Sequence, residues 1–199
     1  MKKTALLLIC LFCLFLNTFG QSKAVAKEEV HPEEYSVYKT ILEPFKKSSV
    51  KQLVIRKFTS GNLDGSSLIW DKDRKTPLLE AFEPETIDEY NSRLSKPTEL
   101  KNNFGIDMPV NLVTDKELKP IFDRKKETNL TKNAVEVMEK RYQTKYIITF
   151  SRVSFDKSNT SALVHVEFVC DEGCSRGYIY ILSKTDNRWS VIESLHTRF

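Results

Sequence analysis

After Lys145 the chain alternates apolar and polar residues with a period of two. "YIITFSRVSF" (146–155), "SALVHVEFVC" (161–170), "RGYIYILSK" (176–184) and "RWSVIESLHT" (188–197) are rich in β-branched and aromatic residues. That is strand patterning. "DKSN", "DEG" and "DN" separate the runs and are turn chemistry. Short links between successive strands imply an antiparallel meander.

Before Lys145 the period is longer. In "PEEYSVYKTILEPF" Tyr35, Tyr38, Ile41, Leu42 and Phe45 recur every three or four residues, one apolar helix face. Pro32 suits a first helical turn, Glu33 and Glu34 favour a helix N-terminus, and Pro44 ends or kinks the helix. "VKQLVIRKFT" (50–59) reads as a strand, and "SGNLDGSS" (60–67) as a turn or loop. Ile87, Tyr90 and Leu94 share a helical spacing that Pro97 stops. Thr114 and Glu117 form a capping-box pattern that opens a short helix through Phe122, and Asn133 and Glu136 repeat it ahead of "AVEVMEKRY". Helices first and strands later predict an α+β fold. The helices are expected to pack on one face of a four-stranded antiparallel meander, with one earlier strand, in a single domain over 32–199.

The first residues change where this domain is expected to reside. Lys2 and Lys3 precede an apolar run from Thr4 to Leu16, then a short polar stretch. This is the layout of a secretory signal peptide, and the run is shorter than the ~20 residues a membrane span needs. Thr18 and Gly20 place small residues for cleavage before Gln21. Residues 1–20 are therefore read as a signal peptide and 21–31 as a flexible leader. Ile9 and Phe12 precede Cys10 and Cys13, where a lipobox needs a small residue. The mature protein is expected to be exported, to the periplasm or beyond, and soluble, with no membrane association. The formal charge of +4 is spread over interspersed acids and bases. It predicts a mixed solvated surface and no nucleic-acid partner.

The C-terminal residues carry a resemblance. Ser151, Val153 and Phe155, then Ala162-Leu163-Val164, Cys170 and Cys174, Lys184, and Trp189 with Val191 follow a family pattern. It reads S-x-V-x-F, A-L-V, a cysteine-bounded turn, a strand ending in Lys and W-x-V. The region is similar to the C-terminal part of a family of exported bacterial proteins of unknown function, and "LVTDKELKPIF" is similar to the segment before it. Asp171 stands where that family has glycine after the first cysteine. The resemblance covers about half of the chain. It implies a fold and export, and no activity.

The chemistry is sparse. Cys170 and Cys174 are spaced C-x-x-x-C between two strands, whereas redox pairs use C-x-x-C at a helix N-terminus. Zinc needs about four ligands, and His31, His165 and His196 include no close pair. In an oxidising compartment a cross-strand disulfide staple is the expected role of Cys170 and Cys174. No nucleophile-elbow, zincin or P-loop motif occurs, and no cofactor or metal is expected. Pairing Cys170 with Cys174 places Glu167 opposite Gly177 and His165 opposite Ile179. A two-residue turn at Asp186-Asn187 then places His196 opposite Gly177 and Ser194 opposite Ile179. His165, Glu167, Ser194 and His196 would share one face, with Glu167 and His196 meeting above a glycine. These four residues are the candidate catalytic group. The expected function is a non-catalytic domain that binds a small ligand or a protein partner. The alternative is a hydrolytic enzyme using the Glu/His pair.

Overall fold

A computed structural model of the chain describes residues 28–60, 92–93, 96–122, 134–169 and 175–197. The signal-peptide reading, the flexible leader up to residue 27, most of the helix expected around Tyr90, and all four cysteines lie outside these residues.

Helix α1 spans Pro32–Leu42 and continues as a 3-10 turn, Glu43–Lys47, where Pro44 removes a helical donor. Its start is fixed by a reciprocal cap. His31 Nδ1 accepts the Glu33 N–H at 3.2 Å, and Glu34 Oε1 accepts the His31 N–H at 3.2 Å. The expected apolar face is the buried one: Tyr35, Tyr38, Ile41 and Leu42, joined by Val37 and Glu34. Tyr38 stacks on Phe150 with ring centroids 4.5 Å apart, and Tyr35 meets Phe104 edge-on at 5.4 Å.

The strands are β1 (Leu53–Arg56), β2 (Val110–Val113), β3 (Ile147–Phe150), β4 (Ser154–Phe155), β5 (Ser161–Val169), β6 (Arg176–Thr185) and β7 (Arg188–Thr197). Helices α2 (Asp115–Phe122) and α3 (Ala134–Tyr142) lie between β2 and β3. Among the described residues the sheet order is β2-β1-β3-β5-β6-β7, with β4 also paired to β5. The α+β class holds. β3, β5, β6 and β7 pair antiparallel in chain order, but the four-stranded meander is only part of the sheet, which among the described residues has seven strands and is mixed. β1 runs parallel to both β2 and β3. Parallel neighbours need long crossovers, and α2 and α3 lie in the one that carries the chain from β2 past β1 to β3. The run 146–155 is also two strands rather than one. Phe150 pairs with Val166 but Ser154 pairs with Leu163, so one extra residue sits between them.

Helices cover both faces rather than the one expected, because strands β1 and β3 carry apolar residues on both sides. α1 packs on Leu53, Ile55, Ile148, Phe150, Val164 and Val166. Leu118 and Ile121 of α2 with Met138 and Tyr142 of α3 pack on Val54, Val113 and Ile147, on the opposite face. α2 begins as the sequence predicts: Glu117 Oε2 accepts the Thr114 N–H at 2.8 Å and the Thr114 hydroxyl at 2.7 Å.

The break between β3 and β4 has a chemical cause. Arg152 leaves the strand ladder and forks onto Glu34. Its Nε donates to Oε2 at 2.9 Å and its Nη2 to Oε1 at 2.7 Å. Its Nη1 donates to Glu28 Oε1 and Thr98 Oγ1, both at 3.0 Å. Glu34 Oε2 also accepts the Val153 N–H at 3.0 Å. Both side chains are buried, at 0% and 4% exposure. Removing one partner of such a pair leaves an unpaired buried charge. Glu34→Gln alone or Arg152→Met alone is therefore expected to cost about 3–5 kcal/mol in urea unfolding, and the double variant to recover part of that loss. Single losses below about 1 kcal/mol, as for surface pairs, would remove the pair from its structural role.

Candidate functional site: a polar row across the sheet

Register decides which side chains meet. As the sequence predicts, Glu167 pairs with Gly177 and His165 with Ile179. The β6–β7 turn is also as expected, with Asp186 and Asn187 at φ 50° and 60° and Thr185 opposite Arg188. The expected register then fails. Leu182 pairs with Val191 but Ile181 pairs with Glu193, so Ile192 is an extra residue in β7. A β-bulge of this kind inverts the facing of everything beyond it. Gly177 faces Thr197, and Tyr178 faces His196. His196 and Ser194 therefore lie on the α1 side of the sheet, exposed near its edge. His196 packs edge-on against Tyr178 at 5.3 Å. The proposed meeting of Glu167 with His196 does not occur.

Burial explains the bulge. Trp189 is buried on the α1 side, where its indole N–H donates to Glu33 Oε1 at 2.7 Å. Thr197 is buried on the other side, beside His165. The two positions differ by eight residues, so an unbroken period of two would put both on one face. One inserted residue satisfies both, and Val191 and Ile192 at the kink are left 42% and 50% exposed.

The face opposite α1 carries a different group. Arg56 is next to Thr149 in the parallel β1–β3 pair, Thr149 faces Glu167, Glu167 faces Gly177, and Gly177 faces Thr197. This is a polar row running across five strands. His165 lies one pair further along β5, its Nε2 3.2 Å from Thr197 Oγ1. Gly177 contributes no side chain between them. Arg56, Thr149 and Thr197 are not among the site residues expected from the sequence. The available signal was a charged or hydroxyl residue inside apolar strand runs, Arg56 in "LVIRKF" and Thr149 in "YIITF".

The row is under-satisfied. Thr149 Oγ1, His165 Nδ1 and Arg56 Nε are buried and make no hydrogen bond, as is the neighbouring Ser154 Oγ of β4. Asp115 Oδ1 lies 3.0 Å from Arg56 Nε, an ion pair whose angle makes no hydrogen bond. Native interiors leave few such groups. His165 and Thr149 are fully buried, while the Glu167 side chain is 14% exposed and Arg56 32%. Arg56 and Glu167 are thus the partly exposed members of the row, and Thr149 and His165 its buried members. His165 Nδ1 is 3.8 Å from Glu167 Oε1, too long for a hydrogen bond. Burial lowers the His165 pKa to about 4, so the ring is neutral at physiological pH. Burial pushes the Glu167 carboxyl up, and Arg56 pulls it part of the way back.

Other surface features are weaker. A pocket of about 390 Å³ is lined by residues including Tyr35, Glu99, Lys101 and Asn103. Its charges are already paired, Lys101 with Glu29 at 2.8 Å and Glu99 with Lys57 at 2.9 Å. Among the described residues only Val137, Val191 and Ile192 are large exposed apolar side chains. No described helix is long and apolar enough to cross a membrane. The chain matches no known family model, no curated protein and no solved structure.

The depressed pKa of His165 sets a pH dependence. The unfolded chain takes up this proton near pH 6.5, and the folded protein near pH 4. The histidine contribution is thus fully present above pH 6.5 and is lost as pH falls from 6.5 towards 4. Its size is on the order of 3 kcal/mol. Glu167, with its pKa raised, acts in the opposite direction and offsets part of the loss. Urea unfolding at a series of pH values is expected to show a shallower decline between pH 6.5 and 4 for His165→Gln than for the unaltered protein. Parallel pH profiles would mean that His165 is not buried as a neutral ring.

Proposed function

We propose that the protein is an exported, non-catalytic binding domain that holds a small polar ligand against the row of Arg56, Thr149, Glu167 and His165. The observation that carries this reading is the contiguity of the unsatisfied groups. Thr149 Oγ1 and His165 Nδ1 are buried without partners on either side of Glu167, and no described residue donates a hydrogen bond to that carboxylate. An unmade hydrogen bond at a buried group costs about 1–3 kcal/mol, so several together favour occupancy by a complementary molecule. The partly exposed Glu167 and Arg56 supply an approach from solvent. Export rests on the n-, h- and c-region layout of residues 1–20.

A non-catalytic role fits the composition of the row. A hydrolytic site requires a nucleophile or an activated water beside a base, with donors for the developing oxyanion. The two residues that had suggested such a group, Ser194 and His196, lie on the other face. The hydrolytic alternative is left with His165 and Glu167 alone.

Differential scanning fluorimetry of the mature protein against a panel of small amines, alcohols, sugars and carboxylates tests the reading. At least one class is expected to raise Tm saturably, and Thr149→Val and Glu167→Gln are expected to reduce that shift without unfolding the protein. A panel with no saturable shift, or shifts unchanged in both variants, would contradict it. Turnover of a chromogenic ester that disappears in Glu167→Gln would favour the hydrolytic alternative instead.

A further inference from the structure

We propose, building on the reading that the row is the ligand site, that its ligand is a small protonated amine, held by Glu167, His165 and Thr149 through its ammonium hydrogens. Charge balance is the first argument. Arg56 is offset by Asp115 at 3.0 Å. His165 is buried as a neutral ring. Thr149 faces Glu167 across the strand pair, His165 Nδ1 lies 3.8 Å from its carboxylate, and Arg56 pulls its pKa down but has its own ion pair with Asp115. Arg56, Asp115 and Glu167 together sum to one negative charge, the Glu167 carboxylate is partly withdrawn from water, and a cation completes the set.

Hydrogen-bond inventory is the second. The 3.2 Å contact of His165 Nε2 with Thr197 Oγ1 is open to either ring tautomer, and in the Nε2–H form Nδ1 offers a lone pair. Two acceptors 3.8 Å apart cannot bond each other, but one donor atom about 2.8 Å from each fits between them. Thr149, directly across from Glu167 and buried without a partner, supplies a third acceptor. A primary ammonium carries three donors and no acceptor, and this corner carries three acceptors. A carboxylate ligand would meet Glu167 with like charge, and the one cation in the row already has Asp115. A hydroxyl has a single donor and leaves the charge of Glu167 unbalanced. A metal ion would find His165 and Glu167 as its strong ligands, and no group of three or more metal-binding side chains occurs among the described residues.

The test is a ¹H–¹⁵N NMR titration of the full mature chain at pH 7 with ethylammonium chloride, ethanol and sodium acetate at matched ionic strength. Ethylammonium alone is expected to give saturable shifts centred on Thr149, His165 and Glu167. Glu167→Gln is expected to weaken its binding by roughly tenfold or more, the loss of one charge-assisted contact. Thr149→Val is a second variant that keeps shape and charge, and it is expected to weaken binding by a smaller factor. Saturable shifts at the row with ethanol or acetate, equal to or stronger than with ethylammonium, would overturn the amine assignment and leave the binding reading standing. Ethylammonium binding unchanged in both variants would also overturn it. An absence of saturable shifts at these residues with all three probes would count against both.

Discussion

A carboxylate and a guanidinium buried together each lose several kcal/mol of hydration, and the loss is tolerable only when geometry is good and the remaining donors and acceptors are used. Glu34 and Arg152 meet that condition. The fork is bidentate, and the spare lone pairs of Glu34 take the backbone N–H of His31 and Val153. The remaining Arg152 nitrogen takes Glu28 and Thr98. One carboxylate therefore caps α1, anchors the residue after Arg152 and neutralises a buried cation. Helix α1 cannot shift along the sheet without breaking this set. Tyr38, one turn on from Glu34, donates to Ser151 O at 2.8 Å and holds the same junction from a second point.

The junction also positions the row on the other side of the sheet. Ser151 precedes Arg152 and is bound to His165 twice. Its N–H donates to His165 O at 2.9 Å, and its hydroxyl accepts the His165 N–H at 2.9 Å. The backbone of His165 is thus fixed by the residue next to the buried ion pair. Its ring is fixed by Thr197, which reaches that face because β7 carries an extra residue. Two irregularities, one between β3 and β4 and one in β7, aim the side chains of this site. Bulges commonly serve that purpose, re-aiming a side chain at the rim of a sheet.

Much of this was legible in the sequence where local rules suffice. The α1 face follows from three- and four-residue spacing, the start of α2 from Thr114 and Glu117, and the β5–β6 register from setting Cys170 opposite Cys174. Asp186 and Asn187 accept positive φ, so their turn was legible too. What was not legible depends on distant partners. "VNLV" is only four residues long, and its parallel pairing to β1 depends on a crossover that no local pattern encodes. Arg152 within "SRVSF" reads as an outward strand residue, because its partner Glu34 lies 118 positions away. The bulge at Ile192 follows from the competing demands of Trp189 and Thr197, each set by a contact on a different face. Those demands displaced His196 and Ser194 from the expected site and brought Thr197 into it.

The site stands or falls on that one-residue shift in β7. Cross-strand NOEs measure it directly. The expected pattern joins Gly177 to Thr197 and Tyr178 to His196, with a further contact between the His165 ring and Thr197. A pattern joining Gly177 to His196 would mean that β7 runs without the bulge. It would return His196 to the Glu167 face, remove Thr197 from His165 and contradict the polar row as described.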